Sequence, residues 1–239
     1  MVKPLCLIHI NTGIFLNGQQ SIDKDRAFCY NDFKVNDYKV NNMKTTYRQT
    51  QKKQTREALL KTAFEVFSER GIMNTRMSDI AQTAGVSHGT VFVHFQTQEA
   101  LITEVVETYG GKIAARTHEL SDSCKHMEEI LAAHLAGIGE FEPFYTRLVI
   151  ENRLLPSSAR DVWISIQSAI SFHFSQVAER EIQSGRCRPL PTAILFNTWV
   201  GLVHYYLANG DLFAPEGNVI RRYKDTLIEN YIILIEERR

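Results

Sequence analysis

The stretch from residue 71 to residue 101, Gly-Ile-Met-Asn-Thr-Arg-Met-Ser-Asp-Ile-Ala-Gln-Thr-Ala-Gly-Val-Ser-His-Gly-Thr-Val-Phe-Val-His-Phe-Gln-Thr-Gln-Glu-Ala-Leu, narrows the possible folds more than any other part of the chain. It reads as a short helix, a tight turn, a second short helix and the start of a third. Thr75 is placed to cap the first, whose inner face carries Ile80, Ala81 and Ala84. Gly85 tolerates the left-handed backbone conformation that stops a helix. Val86 fills the space beneath the turn, and Ser87 caps the next helix, in which Val91 and Phe95 share the inward face. Two short helices meeting steeply over a glycine turn form a helix-turn-helix, and the second helix of such a unit enters the major groove of DNA.

The remaining sequence predicts helices only. Residues 51–70 carry Leu59, Leu60, Ala63, Phe64 and Phe67 on one helical face. Thr97 is placed to cap a long helix running to about His118, with Leu101, Val105, Tyr109 and Ile113 in an i+4 ladder. Gly110-Gly111 interrupts that ladder at a cost of about 1 kcal/mol per glycine, and is read as a close helix crossing, a helix end, or a hinge. Further helices are expected over residues 124–141, 144–155, 157–184 and 192–208, and from Val219 onward behind an Asn218 cap. The breaks fall at Gly137, Gly139, Pro143, Pro156, Gly185, Pro189, Pro191, Asn209-Gly210 and Pro215. The expectation is an all-α protein of about nine helices. Residues 1–42 lack helical periodicity; they are read as a mobile arm or as an over-extended gene start ahead of Met43, and as a poor signal peptide.

These residues carry a resemblance to the TetR/AcrR family of transcriptional regulators. The family pattern is a capping Thr followed by Ile-Ala-x-x-Ala-Gly-Val-Ser-x-Gly-x-x-Tyr-x-x-Phe-x-x-Lys-x-x-Leu. Thr75, Ile80, Ala81, Ala84, Gly85, Val86, Ser87, Gly89, Phe95 and Leu101 match it, and Ala63, Phe64, Phe67, Gly71 and Ile72 match the preceding helix and its exit. Phe92 stands where the family has Tyr, and Gln98 where it has Lys, removing a hydroxyl and a charge suited to phosphate. The resemblance implies a three-helix helix-turn-helix DNA-binding head, residues 43–96. A long helix would join it to an α-helical body, residues 97–239, that binds a ligand and dimerises. It implies a bacterial, cytoplasmic, ligand-responsive repressor on a palindromic operator, with an activator of the same fold as an alternative. A helical small-molecule-binding or enzymatic protein with a vestigial DNA head is the rival from another class.

Charge distribution agrees with a nucleic-acid partner. The whole chain carries 27 Lys/Arg and 27 Asp/Glu. Residues 44–96, however, hold eight Lys/Arg against four Asp/Glu, a local +4. No apolar run suits a membrane. Cys6, Cys29, Cys124 and Cys187 form no Cys-x-x-Cys pair and are read as reduced thiols, with a Cys124–Cys187 redox pair as the alternative. No nucleophile elbow, phosphate loop or metalloprotease helix occurs, and no cofactor or metal is expected.

For DNA, the candidates on or near the recognition helix are Ser87, His88, Gly89, Thr90, Phe92 and His94, with Lys52, Lys53, Arg56, Thr75 and Arg76 placed for phosphate. Candidates for an apolar or aromatic effector are His134, Phe144, Tyr145, Trp163, Phe174 and Trp199. The helix over residues 192–208 is apolar nearly all round and therefore needs burial on every side. Trp199, Val203 and Tyr206, with Leu227 and Tyr231 of the last helix, are the candidates for a homodimer interface.

Overall fold

The structure is a computed structural model that describes residues 47–237. The expectations for residues 1–42 and for Met43 lie outside the described residues. Its helices are α1 (Tyr47–Arg70), α2 (Met77–Thr83), α3 (His88–His94), α4 (Gln98–Val105), α5 (Gly111–Ser121), α6 (Met127–Gly139), α7 (Glu142–Glu151), α8 (Ser157–Gln183), α9 (Thr192–Ala208), α10 (Gly210–Phe213) and α11 (Val219–Ile235). A π-helical turn, Val106–Gly110, joins α4 to α5 without a break. The fold is all-α, as the periodicity predicts. The one-turn α10 beyond Gly210 is an addition to the expected set.

Several caps follow the local sequence. Ser87 Oγ accepts the Thr90 N–H, Thr97 Oγ1 the Ala100 N–H, and Asn218 Oδ1 the Arg221 N–H. Gly85 sits at φ +67°, the left-handed value that ends α2. Thr75 departs from expectation. Its hydroxyl donates to the Gly71 carbonyl at 2.7 Å and its side chain is buried, so it ties the loop together and does not cap α2. Asp79 takes the Arg76 N–H in its place.

Two expected breakers lie inside helices. Pro143 occupies the first turn of α7, where a missing N–H costs nothing. Gly137 lies within α6 because a Cβ there would meet Thr117 Oγ1 at 2.2 Å: α5 and α6 cross with no room for a side chain. Gly110 has the same origin, since its Cβ would meet Ile166 Cδ1 of α8 at 2.4 Å. Gly110 therefore marks a close crossing, and the helix continues through it with widened hydrogen-bond spacing.

The core is continuous from α1 to α11. α2 and α3 pack on each other, and α1 packs on α2, α4 and α7. α5, α6, α8, α9 and α11 pack among themselves. Helix α7 is a strut between these groups. At its start Glu142 accepts the N–H groups of Val219 and Ile220, at 2.7 and 3.0 Å, satisfying the N-terminus of α11. At its end Glu151 accepts those of Ile72 and Met73, and Arg147 donates to the Ser68 and Glu69 carbonyls that close α1.

Candidate functional site

The recognition helix α3 is held from beneath and free above. Val91 and Phe95 are buried, as their spacing predicts. His88 and Gly89 are exposed, Phe92 is 41 % exposed, and the His88 ring meets Phe92 edge-on at 4.8 Å. Thr90 is half-buried and its hydroxyl lies 2.8 Å from Ser87 Oγ, which fixes its rotamer. Val93, 69 % exposed, is a surface residue that the sequence reading passed over. Its position carried the signal: two residues from Val91 is about 200° around a helix, the face opposite the core. The outward face of α3 thus joins hydroxyl and imidazole donors to an apolar Phe92–Val93 edge suited to thymine methyl groups.

His94 closes the helix. Its Nδ1 is enclosed without a partner, and burial, with Lys52 and Arg56 nearby, lowers its pKa, leaving a neutral imidazole. Lys52, Lys53 and Arg76 are exposed, Lys53 lying 3.8 Å from Glu57. Arg56 is otherwise committed. Its guanidinium donates to the His94 carbonyl at 2.7 Å, pairs with Glu104 and lies over the Phe95 ring at 4.3 Å. It fastens α1 and α4 to the end of α3 and has no free fork for phosphate. Thr75 is enclosed and is likewise withdrawn from the DNA-facing set. Gln98 donates to the Thr75 carbonyl at 2.9 Å, pinning the start of α4 to the loop before α2.

The predicted effector residues separate. Phe144 packs at a tilt on Phe64 and edge-on to Tyr109, two rings that stack on each other at 3.8 Å. Tyr145 is buried between Trp163 and His204; Gln167 donates to its hydroxyl at 3.1 Å, and the hydroxyl is hydrogen-bonded to His204 Nε2 at 3.0 Å. Trp199 is fully enclosed, its Nε1–H donating to His134 Nδ1 at 2.9 Å. Two of the six, His134 and Phe174, line an enclosed cavity of about 10 Å³ between α5, α6, α8 and α9.

The expected dimer residues are corrected in the same way. Trp199, Val203, Leu227 and Tyr231 are buried inside one chain, because α9 and α11 pack on each other through them. Trp199 packs at a tilt on Tyr231, with ring centroids 5.1 Å apart, and the Tyr231 hydroxyl donates to the Leu195 carbonyl. Tyr206 is half-buried against Phe213 and Tyr223. The large apolar residues left exposed on these helices are Ile194, Tyr205, Ile233 and Leu234. Cys124 and Cys187 are both free thiols. Among the described residues no cluster of metal-ligating side chains occurs and no helix is long and apolar enough to cross a membrane.

Residues 59–105 match the family model described as bacterial regulatory proteins, tetR family. The HTH-type transcriptional repressor KstR2 of Mycobacterium tuberculosis is 27% identical over 172 residues, covering 67% of this chain and 86% of that protein. The solved structure of that ketosteroid transcriptional regulator superposes with a TM-score of 0.62 at 20% identity, over 77% of this chain and 95% of its own. The Saccharomonospora viridis transcriptional regulator in complex with choline gives 0.65 at 18% identity, over 78% and 100%. Bacillus subtilis FadR in complex with stearoyl-CoA gives 0.60 at 18%, over 74% and 97%. With α3 presented to solvent and the family's own motif running through it, residues 59–105 form a helix-turn-helix segment of the tetR family of bacterial regulatory proteins.

Proposed function

We propose that this chain is a ligand-responsive repressor that binds a palindromic operator as a homodimer in the bacterial cytoplasm. Residues 43–96 serve as the DNA head and residues 97–239 as the effector and dimer body. The observation that carries the reading is α3 itself. Val91 and Phe95 lock it in place, while Gly89, Thr90, Phe92, Val93 and His88 face outward with Lys52, Lys53 and Arg76 beside them. Ser87 acts through the Thr90 rotamer, and the neutral His94 closes the contact surface. The relatives named as repressors, and the similar folds solved with choline and stearoyl-CoA, support repression relieved by a small molecule.

Two heads must be spaced to meet successive major grooves, about 34 Å apart. The exposed faces of α9 and α11, with Ile194, Gly201, Tyr205, Ile233 and Leu234, are the surface assigned to the second copy. A symmetric contact of this kind is self-complementary. The test is binding of duplex DNA selected from a random library, measured across a salt series. A dimeric reader weakens steeply with salt and selects an inverted repeat. Salt-independent binding, or selection of no repeat, overturns the reading.

A further inference from the structure

Three residues that line one small cavity each carry a buried polar atom without a protein hydrogen-bond partner: His134 Nε2, Thr117 Oγ1 and Ser121 Oγ. Most buried polar groups in folded proteins are paired, so three at one place call for an explanation. The rest of the wall is apolar, formed by Ile130, Ile170, Phe174 and Phe196. No charged side chain lines it.

The hydrogen-bonding character of the site is set by Trp199. Its indole N–H donates to His134 Nδ1, so a neutral imidazole carries its proton on Nε2, the nitrogen left without a partner. Complete burial holds His134 neutral, its pKa pushed down to about 3, and His204 adds to the effect. The cavity therefore presents one obligatory N–H donor and two hydroxyls, Thr117 and Ser121, one helical turn apart on α5. An oxygen acceptor is what this set lacks. A carboxylate or an ammonium would meet no opposite charge there.

We propose that this cavity is the recognition point for the polar end of an uncharged effector, an apolar ring or chain bearing a carbonyl-type oxygen that accepts from His134 and engages Thr117 and Ser121. The inference rests on the ligand-responsive reading above and adds the chemical class and the residues that select it. The present volume, about 10 Å³, is that of one water. Entry of the effector body requires the edge-to-face pair Phe174–Phe196, with centroids 5.4 Å apart, to separate. Thr117 and Ser121 lie on α5, which runs unbroken through the π-helical turn into α4 and the Gln98 contact to the head. Force applied at the hydroxyls thus reaches the DNA-binding helices through one continuous element.

The test uses cyclohexanone, its carbon isostere methylenecyclohexane, and cyclohexanecarboxylate, each at millimolar concentration with the full chain. Melting midpoint and the methyl NMR signals of Ile130 and Ile170 are read. Cyclohexanone is expected to raise the midpoint and shift both signals, the isostere to bind about tenfold more weakly, and the carboxylate to do neither. The Thr117→Val/Ser121→Ala variant should fold with undiminished stability, because it deletes two unpaired buried hydroxyls, and should lose the preference for the ketone. Equal response to ketone and isostere, preference for the carboxylate, or a preference retained by the variant overturns the proposal. So does a destabilised variant, or no response to any probe, which leaves the cavity as the seat of a trapped water only. DNA binding by the same preparation is measured alongside: its loss bears on the repressor reading, and the probe responses bear on the cavity alone.

Discussion

The carboxylate of Glu151, at the end of α7, accepts the backbone N–H of Met73 at 2.7 Å, and its other oxygen takes that of Ile72. With Arg147 on the Ser68 and Glu69 carbonyls, one short helix holds both sides of the loop that leads from α1 into the helix-turn-helix. Hydrogen bonds to an ionised group contribute about 1.5–3 kcal/mol each. Glu151→Ala should therefore lower stability by about 3–6 kcal/mol in urea denaturation and speed hydrogen exchange at Ile72 and Met73 most of all. Unchanged protection of those two amides would show that α7 does not hold the loop.

Arg56 and Lys53 lie one turn apart on α1 yet should respond differently. Lys53→Ala should weaken binding to all DNA sequences alike and flatten the salt dependence by about one unit of slope. Arg56→Ala removes the bond to the His94 carbonyl and the Glu104 pair, so it should lower the melting midpoint. Thr90→Ala or Val93→Ala should instead cost about 1–3 kcal/mol on the selected site and little on random DNA. Equal losses on both DNAs for all of these variants would remove the distinction between positioning and reading residues.

Gly201 faces open space on α9, so Gly201→Arg is compatible with one folded chain. If α9 and α11 form the interface, the variant should sediment as a folded monomer at micromolar concentration, and Tyr205→Glu likewise. Trp199→Asp should unfold the chain, since it buries a charge in a core that has no partner for it. A dimeric Gly201→Arg protein places the interface elsewhere.

Gly110→Ala should destabilise by about 1–3 kcal/mol, because the new methyl group would collide with Ile166 Cδ1 and Ile166 is itself buried. Ile166→Val removes that carbon and should restore much of the loss in the double variant. Additive losses in thermal melts would show that the crossing is not the reason for the glycine.

Acid should weaken the fold through His134 and His204. Burial depresses their pKa values to about 3 and about 4, against about 6.5 in the unfolded chain. The unfolded state therefore takes up protons first as pH falls. Their contribution is intact above about pH 6.5 and is lost progressively below it, until the folded-state values are reached. Each histidine removes up to about 1.4 kcal/mol per pH unit in that window. Urea denaturation at pH 7, 6 and 5 should show this fall, and His204→Gln should make it shallower. A stability independent of pH over this range would mean that neither imidazole is held neutral.

The helix-turn-helix was legible because its determinants are local. Gly85, Ser87, Thr97 and Asn218 act within four residues of themselves, and the spacing of Val91 and Phe95 states which face of α3 is inward. The same periodicity gave the all-helical class and the span of α9. It could not say which neighbour covers which face. Trp199 reads equally well as core, pocket or interface on an all-apolar helix; only the packing of α9 on α11 and the His134 bond decide for the core. Arg56 and Thr75 looked like DNA contacts because a basic or hydroxyl side chain near the motif suits phosphate. They are committed inward by Glu104, 48 residues away, and by the folded loop at Gly71. Gly137 reads as a break, and Gly110 leaves a crossing, a helix end and a hinge open, since sequence records a missing Cβ but not what fills its place. Local backbone preference and helical period were thus determined by the sequence alone, whereas partner choice for each buried side chain required the three-dimensional crossing of helices distant in the chain.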